Sequence, residues 1–205
     1  MTRFIFTFRW MPLLAIFLLA GIGTCSAQDR EEKTLLEKHR FVNTGSWGGY
    51  RLQMGTIADQ PASISGFQLV GEHNRKFLFG YNFNWVGNDV PYTYEGVKRN
   101  LRFNWHSMQF GYMIAAHRAI HPVVNLDLGI GRTKLKNVGK DRIFVASPSV
   151  GIEANFYRWC HVSLEGGYRA VTGSAMANLR NADLSGAFAM LTFRFGWSDP
   201  KGIDD

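Results

Sequence analysis

The chain has 205 residues, a formal charge of +7, and 46% hydrophobic, 14% aromatic and 19% charged residues. That length suits one domain of ordinary size, with no low-complexity linker and no long repeat. Two cysteines, one of them in an N-terminal leader, exclude an internal disulfide framework, and the positive charge comes with no motif for nucleic acid.

Residues 1–27 read as a secretory signal. Arg3 and Arg9 supply the positive start, Trp10 to Ile22 an apolar stretch broken only by Pro12, and Cys25-Ser26-Ala27 the small residues of a cleavage site. The apolar stretch is shorter than the roughly 20 residues of a membrane-spanning helix. A lipidated Cys25 is the competing reading, but Thr24 is bulky for the residue before such a cysteine. Without Arg3 and Arg9 the remainder has 21 basic against 16 acidic residues, a charge of +5. Cys160 is then the only cysteine, so stability must come from packing and hydrogen bonds. An export signal followed by no apolar run long enough for a spanning helix leaves periplasm, exterior or outer membrane as destinations.

Residues 28–45 are charged, with Leu35 and Leu36 in the middle, and read as a short N-terminal periplasmic segment without chemistry. From there to residue 197 the pattern becomes period-two, the signature of strands whose two faces meet different surroundings. Eight segments follow in order. Trp47–Ile57 sets Tyr50, Leu52 and Met54 against Arg51, Gln53 and Gly55, and Ser63–Glu72 sets Phe67 and Leu69 against Gly66 and Gln68. The third is a ladder of five rings, Phe77, Phe79, Tyr81, Phe83 and Trp85, alternating with Leu78, Gly80, Asn82 and Asn84. Leu101–Ile114 carries Met108, Phe110, Tyr112 and Ile114 on one face. Val123–Thr133 alternates Val124, Leu126, Leu128 and Ile130 with Asn125, Asp127, Gly129 and Gly131. Phe144–Phe156, Trp159–Val171 and Leu184–Trp197 complete the set, and residues 198–205 read as a short tail.

Joins at His73-Asn74-Arg75 and Tyr157-Arg158 are short, whereas those between segments three and four, five and six, and seven and eight are longer. An even number of roughly ten-residue strands with short turns at one end and longer loops at the other predicts a transmembrane β-barrel. Closing the sheet also leaves no unpaired edge in lipid. A soluble lipocalin-like barrel would turn the apolar face inward, but an eight-stranded lumen is only just wide enough for side chains to fill and would be overfilled by these rings. The opposite face is small and polar, as a narrow closed lumen requires. Trp47, Trp85, Trp105, Trp159 and Trp197 fall at or near strand ends, where an aromatic girdle is expected at the membrane interfaces.

Within Pro148–Gly173, the residues Gly151, Glu153, Asn155, the aromatic turn Tyr157–Trp159 and Tyr168-Arg169 resemble the penultimate hairpin of small Gram-negative outer-membrane barrels. The strand ending Phe193-Arg194-Phe195-Gly196-Trp197 resembles the aromatic-terminated signal read by the outer-membrane assembly machinery, followed here by eight further residues. Elsewhere the similarity is architectural, to OmpA-type barrels. The resemblance implies a location in the cell outer membrane, and the assembly machinery as a partner during biogenesis.

Parity places Arg51, Glu72, Asp127, Glu153, Glu165, Arg169 and Arg194 in the lumen. Pairing about the turns predicts a belt running Asp127, Glu153, Glu165, Arg194 and on to Arg51, a structural plug in which buried charges are paired. His106-Ser107 is the one pair suggesting a lipid A deacylase-like nucleophile. By parity His106 faces lipid and Ser107 the lumen, so no catalytic residue is assigned and the chain is not read as an enzyme. Lys98, Arg99, Arg102, Lys134, Lys136, Lys140 and Arg142 in the longer loops, with Arg132 on the lipid-facing parity, form a basic rim suited to lipopolysaccharide phosphates. His39, His73, His117, His121 and His161 lack paired metal-ligand spacing, so neither metal nor cofactor is expected. The expectation is thus an all-β, eight-stranded antiparallel up-and-down transmembrane β-barrel. It would be a monomer with a closed polar lumen, in contact with outer-membrane lipid and lipopolysaccharide, in a structural or surface-interaction role.

Overall fold

A computed structural model describes residues 42–94, 96–135, 138–174 and 179–198. The proposed signal, most of the segment 28–45, Lys136 and the tail after Ser198 lie outside the described residues.

All eight alternating segments form strand, although at their ends Trp159 stays in a turn and Leu184 ends a short helix. The strands are β1 (Asn43–Ile57), β2 (Gln60–His73), β3 (Phe77–Val86), β4 (Val90–Tyr94), β5 (Val97–Met113), β6 (Ile120–Leu135), β7 (Gly139–Tyr157), β8 (Cys160–Thr172) and β9 (Gly186–Ser198). One short helix, α1 (Asn181–Leu184), precedes β9. Each strand pairs antiparallel with its neighbour, and the ring β1-β2-β3-β5-β6-β7-β8-β9 closes through β9 against β1 and β3 against β5. The result is the expected closed eight-stranded barrel. β4 was not foreseen. It stands outside the ring and pairs only with the upper part of β5, Val90 opposite Leu101 and Tyr94 opposite Val97.

The two ends of the barrel differ. At the end where β1 begins and β9 finishes, called here the terminal end, β2 turns into β3 through Asn74 and Arg75, both at positive φ, and β7 into β8 through Arg158 and Trp159. The opposite, loop end carries β4 and α1. Two joins there are short, the second of them expected to be longer. β1 and β2 are linked by Ala58 and Asp59 alone, at φ 51° and 58°, the left-handed pair that a two-residue hairpin requires. β6 and β7 extend to Leu135 and Gly139, so Lys134, Lys140 and Arg142 lie on paired strand rather than in a loop.

Parity sorts the side chains as expected. Phe67, Leu69, Tyr81, Met108, Phe110, Leu126, Val150, Ile152, Leu164 and Phe195 are exposed on the outer wall, while all seven predicted lumen charges are buried. The rings of β3 therefore face outward, and a lipocalin-like interior is ruled out. The lumen is not polar throughout, however. Its loop end is filled by an apolar cluster that includes Ile57, Ile64, Val90, Leu101, Phe103, Trp105, Leu135, Leu179 and Leu184. A smaller cluster of Trp47, Val70, Leu78, Met113 and Val123 lies toward the terminal end, and the polar layer occupies the middle. β7 and β8 approach closely at Gly151, where any Cβ would overlap the Leu164 carbonyl and crowd Glu165.

Candidate functional site

The polar layer is built from four carboxylates on four strands, each satisfied differently. Asp127 of β6 receives Arg51 Nη2 from across the barrel at 2.7 Å and the Asn82 amide at 3.1 Å. The Arg51 guanidinium also rests on the sulfur of Met190, with Nη2 at 3.0 Å. Glu165 of β8 has no cation partner among the described residues. It accepts from Asn125 at 2.8 Å, Ser149 at 2.7 Å and Ser163 at 2.8 Å, and Asn125 is itself held by Gln109. Glu153 of β7 is paired with Arg194, with His161 Nδ1 at 3.2 Å and His121 Nε2 at 3.6 Å. Glu72 of β2 accepts from Thr44, from Trp47 Nε1 at 2.9 Å and from Ser198 at 2.7 Å.

The predicted residues thus share the lumen without forming the predicted belt. Register sets Asp127 opposite Ser147, and Glu153 opposite His121 on one side and Ser163 on the other. Arg194 stands opposite His161 and reaches Glu153 rather than Glu165. Arg51 lies beside Thr192 and not beside Arg194. Arg169 belongs to a higher level. Fully buried, it donates to the carbonyls of Leu184 at 2.9 Å and Thr56 at 2.8 Å and stacks over the Phe103 ring, tying the loop of α1 to β1. That loop is further closed by Arg180 and Asp183, bonded at 3.0 Å, a contact that raises the Arg180 pKa. Burial, then the Asp183 charge, raises that of Tyr92 in β4.

Two expected girdle tryptophans lie inside. Trp47 and Trp105 share parity with Arg51 and Ser107, so they face the lumen, each 2% exposed. Nearness to a strand end is a weaker indicator than parity, which sets both on the lumen face. Trp85 at the loop end, and Trp159 and Trp197 at the terminal end, do face outward. The histidine pair on Glu153 was also missed. His121 and His161 are far apart in sequence, and only the pairing of β7 with both β6 and β8 brings them together. Below them a cavity of about 700 Å³ opens at the terminal end, lined by Glu72, Arg75, Met113, His117, Arg158 and Ser198 among others.

The basic residues divide between two environments. Lys98 and Arg99 sit at the top of β5 against Thr93 and Tyr92 of β4. Arg102, Arg132, Lys134, Lys140 and Arg142 are exposed on the outer wall in two rows: Arg102–Lys134–Lys140, and beneath it Asn104–Arg132–Arg142. The next row down is His106–Ile130–Phe144, where the apolar belt begins. His106 does face outward, bonded to the Tyr81 hydroxyl, and Ser107 is buried, so the two do not converge.

No family model and no curated protein matches the sequence. Solved structures do resemble it. Neisserial surface protein A superposes with a TM-score of 0.54 at 10% identity, over 77% of this chain and 99% of its own. The N-terminal β-barrel domain of Pseudomonas aeruginosa OprF gives 0.52 at 10% identity, over 76% of this chain and 98% of its own. Likeness at such low identity concerns architecture, and it agrees with the resemblance read from the last strands. The chain has the closed eight-stranded antiparallel fold of outer-membrane β-barrel proteins.

Proposed function

We propose that this chain is an integral protein of the outer membrane, exported by a cleaved signal over residues 1–27 and inserted as a monomer by the assembly machinery. Its role is structural or surface-interactive, without enzymatic activity and without a solute pathway. The observation that carries this reading is the inversion of the barrel: large apolar side chains line the outer wall while Arg51, Asp127, Glu153, Glu165 and Arg194 are buried. In water such a wall would expose far more contiguous apolar surface than a monomeric protein tolerates, whereas in a bilayer it is the expected lipid-facing surface. The outward Trp85, and Trp159 with Trp197 at the other end, fit the two interfaces, with the terminal end periplasmic and the loop end outside. The apolar cluster and the paired polar layer together argue for a lumen that passes nothing of solute size. Fractionation and heat-modifiable gel migration test the reading. Recovery with outer-membrane material, and a faster-migrating form lost on boiling, are expected; recovery in the soluble periplasmic fraction would overturn it.

A further inference from the structure

We propose that the outer wall of β5, β6 and β7 is a built site for one phosphorylated glycolipid, a lipopolysaccharide molecule of the outer leaflet. This inference rests on the outer-membrane reading above and adds a specific occupant to it. Five cations, Arg102, Lys134, Lys140, Arg132 and Arg142, stand in two adjacent rows across three paired strands. At ordinary strand spacing they cover a surface about 10 Å across. No carboxylate occupies either row, and among the described residues none of the five forms a salt bridge. Arginine is the side chain best suited to bidentate phosphate contact, and three of the five are arginine.

Directly beneath lies a groove of about 460 Å³ open to the outside, walled by Tyr81, His106, Met108, Leu128, Ile130 and Phe144. Its origin is local. His106 bonds the Tyr81 hydroxyl on β3 and packs 4.7 Å from the Phe83 ring centroid, leaning away from β6 and leaving space beside Ile130 and Leu128. A ligand with phosphates above and an acyl chain below matches both halves at once. A free phosphate would leave the groove empty, and an uncharged lipid would leave the cations unneutralised.

The test reconstitutes the folded full-length protein in nanodiscs and measures retention of lipopolysaccharide against its dephosphorylated form and against phosphatidylglycerol. Phosphorylated lipopolysaccharide is expected to be preferred over both. Arg132→Ser with Arg142→Ser is expected to weaken its retention roughly thirtyfold, from two lost surface cations. Leu128→Trp, which fills the groove and leaves every cation in place, is expected to weaken it as well, whereas Arg75→Ser at the far end of the barrel is expected to have no effect. Equal retention of phosphatidylglycerol, or insensitivity to dephosphorylation or to both wall variants, would overturn the site. A barrel that still shows heat-modifiable migration in that case would leave the outer-membrane reading intact.

Discussion

Arg51 and Asp127 meet across the lumen from strands that are not neighbours, and the pair shows how charge is tolerated here. Removing one partner strands the other in a buried layer, whereas replacing both with apolar groups removes the difficulty. Asp127→Ala is therefore expected to lower stability by about 3–5 kcal/mol, read as a lower temperature for loss of the fast-migrating form. Arg51→Met with Asp127→Leu should lie close to the wild type; a double variant as unstable as the single would show that this layer needs its charges. Glu165 is held without a cation, by donors from Asn125, Ser149 and Ser163. Glu165→Gln turns one acceptor into a donor facing donors, at an expected cost of about 1–3 kcal/mol in the same assay. Trp47 and Trp159 offer a paired contrast. Trp47→Phe removes the donor to Glu72 and should destabilise by about 1–2 kcal/mol, whereas Trp159→Phe on the outer wall should change little.

Among the elements, the strands of the ring were legible because each separates two media, and a period of two records that separation residue by residue. Phe77 to Trp85 is the clearest case, with every ring outward and Leu78, Asn82 and Asn84 buried. β4 was not legible. Its five residues hold only one deeply buried apolar side chain, Val90, and it forms because the longer β5 offers a free edge above the ring. The basic wall was half legible: the residues were identified, but extension of β6 and β7 moved Lys134, Lys140 and Arg142 from a loop onto a flat surface. The cross-lumen partners were illegible, since contacts between non-adjacent strands depend on barrel stagger and not on spacing along the chain. The short α1 loop depends on Arg169, whose guanidinium reaches the Leu184 and Thr56 carbonyls. Arg169→Met should increase proteolytic cleavage in the segment around α1 while the barrel keeps its heat-modifiable migration; unchanged cleavage would mean that the loop is held by Leu179 and Leu184 alone.

The barrel as a whole holds two apolar fillings with a polar layer between them. Among the described residues the Phe103 and Trp105 cluster and the paired charges fill the lumen, so planar-bilayer recordings of the purified protein are expected to show no steady conductance steps. Regular ohmic openings would require the Phe103 and Trp105 cluster to move aside as a unit.

The polar layer also constrains how the barrel enters a membrane. Its charges are supplied by β1, β2, β6, β7, β8 and β9, and the Arg51–Asp127 pair joins β1 to β6. A strand threading the bilayer by itself would carry a bare guanidinium or carboxylate through hydrocarbon, at about 3 kcal/mol even on the most lenient insertion scales. The penalty falls once β1 meets β6 through Arg51 and Asp127, and β7 meets β9 through Glu153 and Arg194. Insertion is therefore expected to bring β1 to β6, and β7 to β9, before the hydrocarbon centre is crossed.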